Sequence, residues 1–290
     1  MFDTIAMVDW SGGQDRGPKP RPDSIFLCVA RGDQVEVPIY LRNRAVAMVQ
    51  LADLIANELA AGRRLLIGFD FPFGYPEGFA ALVTGAPDPL ALADWFAAAL
   101  PPDAPDDARF HIAAELNARL GGNGPFWFRF KNGPEGLPLK KPAWLDRGFL
   151  EKRHVETLAP GAFLSWQMGG AGSVGSQTMT GMAALSRLRR WFPGQVGVWP
   201  FELDCPVMLV EIWPSLIDAT VKAHMRQDEI KDAAQVRVLA CAVAQMVSEG
   251  ALAAVLDDVD DGAPRSEEGW ILGVRQPNQL ADAAERALAA

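Results

Sequence analysis

The order of strand-like apolar runs and one amphipathic helix over the first seventy residues restricts this chain to few folds. Residues 4–10, Thr-Ile-Ala-Met-Val-Asp-Trp, read as a buried strand stopped by Ser11-Gly12-Gly13, and a Pro/Gly/Arg-rich loop follows up to Asp23. Residues 24–31 read as a second strand, Gly32-Asp33 as a turn, and 34–40 as a third strand. Three strands in succession predict an antiparallel meander. Residues 43–61 then place Val46, Val49, Leu51, Leu54, Ile55 and Leu59 at helical spacing and end at Gly62. Arg63 to Asp70 is again a buried strand, cut off by Phe71-Pro72-Phe73-Gly74-Tyr75-Pro76. A meander, a helix and a further strand imply a right-handed crossover within a mixed α/β sheet.

Beyond residue 77 the character changes. Helical pieces at 77–84, 90–100 and 104–120 lead into an irregular stretch rich in Gly, Pro and Trp, and a helix is expected at about 178–192. The whole of 77–200 is expected to be an insertion capping the core of a single domain, residues 1–290. Strand character returns at 196–200 and 207–213. Residues 229–248 form a helix apolar nearly all round (Ile230, Val236, Leu239, Val243, Met246), which must therefore be buried against the sheet. An apolar patch at 269–274 and an Ala-rich helix from about 278 complete the chain.

Carboxylates punctuate these elements. Asp9, Asp70 and Glu211 stand at or near strand carboxyl ends, and Asp232 lies in the first turn of the buried helix. Ligand sites in open α/β sheets gather beyond the carboxyl ends of strands. If the three strands are parallel neighbours, the acids converge and need protons or a metal ion to offset their repulsion. Hard cations such as Mg²⁺ suit oxygen ligands of this kind. Each acid also has a structural reading: Asp9 as a turn cap, Asp70 as an Asx-turn initiator, Glu211 as a partner of a buried base, Asp232 as a complement to the helix dipole.

Four blocks carry a resemblance: Val8-Asp9-Trp10-Ser11-Gly12-Gly13, Gly68-Phe69-Asp70-Phe71-Pro72-Phe73-Gly74-Tyr75-Pro76, Val210-Glu211-Ile212-Trp213-Pro214-Ser215 and Lys231-Asp232-Ala233-Ala234-Gln235-Val236-Arg237. Two further blocks, Trp166 to Gln177 and Glu267 to Val274, extend it through most of the chain. The chain resembles a family of predicted nucleases with a ribonuclease H-like fold, nearest the RuvC-type branch. The resemblance implies an α/β fold with a ribonuclease H-like mixed sheet (antiparallel meander plus parallel strands) flanked by helices. It also implies a divalent-metal-dependent nuclease or phosphodiesterase using Mg²⁺ or Mn²⁺, with Asp9, Asp70, Glu211 and Asp232 as catalytic metal ligands. At Gln235 the pattern departs, with an amide where a second aspartate is implied. An uncharged amide binds Mg²⁺ more weakly, which keeps open a non-hydrolytic nucleotide- or phosphorylated-cofactor-binding protein on the same fold; phosphoryl transfer to a small molecule is a third possibility.

Candidate substrate-binding residues are Ser11, Gly12, Gly172, Ser173, Gln177, Lys231 and Gln235. The run Gly170-Ala171-Gly172-Ser173-Val174-Gly175 fits a GxGxxG pattern but lacks the preceding strand and following acid of a dinucleotide site. It still offers backbone N–H groups to a phosphate, or else marks a close helix–loop contact. Arg129, Lys131, Lys140, Lys141, Arg147, Lys152 and Arg153 interleave with Phe126, Trp127, Phe128, Phe130 and Trp144, a composition suited to bases and phosphates or to a loop packing its rings on the core.

With 27 basic and 36 acidic residues the formal charge is −9, so a nucleic-acid or nucleotide-like substrate requires such a local basic patch. Three scattered cysteines suggest core thiols. The three histidines show no ligand spacing, and neither a nucleophile elbow nor a P-loop is present. Met1 to Trp10 does not read as a signal peptide, and no apolar run approaches the ~20 residues of a spanning helix. A cytoplasmic protein without membrane attachment is the expectation.

Overall fold

The computed structural model describes residues 1–13, 15 and 17–289. Gln14 and Arg16, part of the loop expected before Asp23, lie outside the described residues. The strands are β1 (Thr4–Asp9), β2 (Ile25–Arg31), β3 (Gln34–Val35), β4 (Ile39–Leu41), β5 (Leu65–Phe69), β6 (Val196–Val198) and β7 (Val207–Glu211). The helices are α1 (Arg44–Ala60), α2 (Phe79–Thr84), α3 (Pro89–Ala99), α4 (Ala108–Arg119), α5 (His154–Leu158), α6 (Val174–Trp191), α7 (Asp218–Ala223), α8 (Lys231–Ser248), α9 (Leu252–Asp257) and α10 (Pro277–Ala289). Among the described residues no helix is long and apolar enough to cross a membrane.

The chain divides into two compact units, one formed by Met1–Asp70, Leu188–Asp260 and Trp270–Ala290, the other by Phe71–Arg187 and Asp261–Gly269. The stretch 77–200 expected as an insertion thus overlaps the second unit, which also takes in residues from near the carboxyl end.

The first unit holds a mixed sheet in the order β3-β2-β1-β5-β7-β6, with β4 also paired to β2. β1 and β2 are antiparallel, whereas β1, β5, β7 and β6 run parallel to their neighbours. The fold is therefore α/β with antiparallel and parallel strands flanked by helices. The strand expected at 34–40 is two short ones, and Pro38 between them has no N–H to give a ladder.

α8 packs on β1 and β2 on one side and on α10 on the other. Its apolar residues on every face follow from that position: Ala234, Val236, Val238, Leu239, Ala242 and Val243 are all buried. On the opposite face of β1, the Thr4 hydroxyl donates to the buried Glu58 carboxylate of α1 at 2.6 Å. Arg31 and Arg63 also donate to Glu58, and these donors hold its carboxyl down at about 2. The β1–β5 seam is tight. A Cβ on Gly68 would stand 2.5 Å from Met7 Sδ and 2.9 Å from Ile212 Cγ2.

In the second unit, helices α2, α3, α4 and α6 contribute to an aromatic core of Tyr75, Phe79, Phe96, Phe126, Phe149 and Trp166. A π-helical turn, Pro264–Glu268, supplies two buried carboxylates to helix starts. Glu267 accepts the N–H groups of Gly78 and Ala80 at the start of α2, and Glu268 accepts those of Glu77 and His154. Helix amino termini leave such N–H groups without partners, and a carboxylate satisfies them.

Candidate functional site

The register of the parallel strands decides which acids can meet. Val8 pairs with Phe69, and Phe69 with Glu211. Side chains alternate along a strand, and residues side by side on parallel neighbours share a face. Asp9 and Asp70, each one residue further on, therefore share one face, while Glu211 shares the other with Val8 and Phe69. Met7 and its β2 partner Cys28 lie on the Asp9 face. That face is covered by α8, whose Cys241 raises the Cys28 thiol by proximity after the larger effect of burial. α8 begins with Asp232 in its first turn.

Asp9, Asp70 and Asp232 consequently gather at one end of the sheet. Burial pushes the Asp9 carboxyl well above its ordinary value, and the neighbouring charges of Asp70, Asp232 and Asp23 add to the effect. Asp70 is pushed up to about 7, by burial first and by Asp232, although the Trp10 N–H that donates to its Oδ1 at 2.6 Å works the other way. Asp232 is raised by burial, and by the Asp23 charge against the opposing Asp23 and Ser24 N–H groups. The Asp9 carboxylate, 8% exposed, has no hydrogen-bond donor or ion-pair partner among the described residues.

Two residues at this locus have no local sequence signal. Asp23 adopts a left-handed backbone (φ 59°) and donates its N–H to Asp232 Oδ2 at 2.7 Å, fixing the entry to β2 against the start of α8. Ser24, 1% exposed, has a buried hydroxyl without a hydrogen-bond partner among the described residues. It precedes Phe26, the partner of Asp9, by two residues and so faces the same side. The 209 residues separating Asp23 from Asp232 hide this contact from any reading of spacing.

The remaining candidates are placed otherwise. Glu211, 2% exposed, pairs with Phe69 and so falls on the other face of the sheet from Asp9; its carbonyl accepts the Leu272 N–H at 2.9 Å. Ser11 and Gly12 are buried directly after Asp9, and Ser11 Oγ accepts the Gly13 N–H at 3.1 Å. Lys231 is exposed and paired with Asp218 at 2.8 Å. Gln235 lies half-buried one turn along α8 from Asp232.

Gly172, Ser173 and Gln177 belong to the second unit. A Cβ on Gly172 would stand 2.6 Å from the Phe163 ring, and one on Gly169 or Gly170 would strike Phe128. These glycines serve close packing against rings.

Among the described residues no three Asp, Glu, His or Cys side chains form a ready-made metal cluster. The oxygen-only donors of Asp9, Asp70, Asp232 and Ser24 nevertheless suit a hard divalent cation in kind. The chain is significantly similar to no protein-family model, no curated protein and no solved structure.

Proposed function

We propose that the first unit is a ribonuclease H-like core whose Asp9, Asp70 and Asp232 serve a divalent-metal-dependent phosphodiesterase, acting on nucleic acid or a nucleotide-like phosphodiester. The observation that carries this reading is the Asp9 carboxylate, buried without donor or cation among the described residues and close enough to Asp70 and Asp232 to feel their charges. An arrangement of that kind lowers stability unless it has another use, and perturbed acids of this sort concentrate at functional sites. The meander joined through α1 to parallel strands supports the fold assignment.

Mg²⁺ or Mn²⁺ bound by these oxygens supplies Lewis acidity and an activated water. Asp9, Asp70 and Asp232 would hold the ion, and the Ser24 N–H, which donates to Asp232, would help to orient that carboxylate. Trp10 N–H fixes one Asp70 oxygen and Asp23 N–H fixes one Asp232 oxygen, so each carboxylate keeps a defined orientation. Glu211 takes no part in this group.

Mn²⁺-dependent cleavage of single-stranded, branched and duplex oligonucleotides tests the proposal. Asp9→Asn is expected to lose activity by a factor of about 100 or more while melting cooperatively. Cleavage by Asp9→Asn at the wild-type rate contradicts it. A second reading, a nucleotide- or phosphorylated-cofactor-binding protein without turnover, is favoured by the neutral Gln235 beside Asp232. Thermal stabilisation by nucleotides with no metal-dependent cleavage selects that reading.

A further inference from the structure

Two segments with unusual composition, the cation–aromatic run at 127–131 and the glycine loop at 166–177, turn out to be neighbours in the second unit. Trp127 bridges to Gln167, its N–H donates to the Trp166 carbonyl at 3.0 Å, and the Met168 N–H donates to the Trp127 carbonyl at 2.9 Å. The Gln167 side-chain amide donates to the carbonyls of Gly169 and Ala171 at 2.9 and 2.7 Å, which pins the loop. Phe128, in a left-handed backbone (φ 76°) that a bulky residue rarely adopts, lays its ring against Gly169 and Gly170.

Two rings that flank this glycine floor remain in the open. Phe130 packs edge-on to Phe128 and Phe110 (ring centroids 5.5 and 5.3 Å) yet is 55% exposed. Phe163, against Gly172, is also 55% exposed. Gly170 and Ala171 between them are exposed and put no large side chain in the way.

The cations beside the rings are not spent on carboxylates. Among the described residues Arg129 makes no ion pair, and its Nε is buried without a hydrogen-bond partner, as is the Trp127 indole N–H. Lys131 and Lys140 are exposed, again without an ion pair among the described residues. Of the acids in the same stretch, Glu151 is paired with Lys141, whereas Glu135 is exposed. Exposed rings over a floor without side chains, flanked by uncommitted positive charge, match the faces of unpaired bases and the phosphates that link them. A duplex hides those faces.

We infer that Phe130, Phe163, Arg129 and Lys131 form a binding surface for single-stranded nucleic acid. The inference names the substrate class for the phosphodiesterase reading and rests on that reading for its purpose; binding is measured without turnover, so the two fail separately.

The test is fluorescence anisotropy of a labelled oligothymidylate of about 12 nucleotides, with the full chain carrying Asp9→Asn and with EDTA present. Saturable binding is expected, weakened about tenfold by Phe130→Ala or Phe163→Ala, since stacking on one ring is worth ~1–3 kcal/mol per base. Both rings are exposed, and unchanged melting of the variants confirms the fold. Lys131→Ala should lower the slope of log affinity against log salt by about 0.7, one phosphate contact on a single strand. No binding, binding unaffected by both ring substitutions, equal competition by duplex, or equal affinity for free dTMP each overturns the inference. Loss of cleavage with retained binding leaves it standing and removes the catalytic reading alone.

Discussion

Asp9 is the residue at which stability and the proposed function pull apart. Its carboxylate is buried beside Asp70 and Asp232, so ionising it in the folded chain costs more than in the unfolded one. Asp9→Asn keeps the shape and removes the charge. The metal-free variant is expected to melt a few degrees above wild type, a gain of about 0.5–2 kcal/mol of the kind seen when a functional strain is relieved. The pH dependence has the same origin. Asp70 is raised from 3.8 to about 7 and Asp9 is raised as well, so the folded chain holds more protons than the unfolded chain across that interval. Stability from these groups is complete below the unfolded value and lost as pH rises through the folded one. The acids with lowered values, such as Glu58 at about 2, lose their contribution only under stronger acid. Melting temperatures in EDTA should therefore fall from pH about 4 to about 7 in wild type, and fall less in Asp9→Asn. A wild-type melting temperature that rises over that range contradicts the account of the acid group.

At the scale of elements, the β1–β5–β7 register determines what the aspartates can do. Gly68 lets Met7 and Ile212 close over the middle strand, and Gly68→Ala forces a methyl group into them. The expected cost is about 1–3 kcal/mol, measured by chemical denaturation, with a shift of β5 that weakens any ion binding at Asp70. A fully stable Gly68→Ala contradicts the described packing. This element level also shows what the sequence can and cannot reveal. Strand ends at Asp9 and Asp70 are legible because apolar runs stop there at Gly or Pro, and the burial of α8 is legible because it is apolar on every face. Which face a strand residue takes depends on register between strands far apart in the chain, and no local pattern encodes it. Glu211 looks equivalent to Asp70 along the sequence and lies on the opposite side for that reason alone. Asp23 and Ser24 were hidden by the same distance, since their contact with Asp232 forms only when β2 and α8 come together.

The whole molecule carries a formal charge of −9, and its positive charge is unevenly distributed: residues 129–154 hold seven Lys or Arg against three acids. Long-range attraction to a polyanion is weak in such a chain, so binding must come from local contacts and respond to salt with a shallow slope. The acid group in the first unit centres on the Asp9 carboxylate, and the ring-and-cation surface in the second on the exposed Phe130, Phe163 and Lys131. The acid group is the central claim, and Mn²⁺ titration of the metal-free full chain in mildly alkaline buffer, followed by electron paramagnetic resonance, tests it most directly. The account predicts saturable binding of Mn²⁺ that Asp9→Asn weakens by a factor of about 10 or more, the loss of one charged ligand being worth at least ~1.4 kcal/mol. Absence of saturable binding in wild type, or undiminished binding by Asp9→Asn, would contradict it.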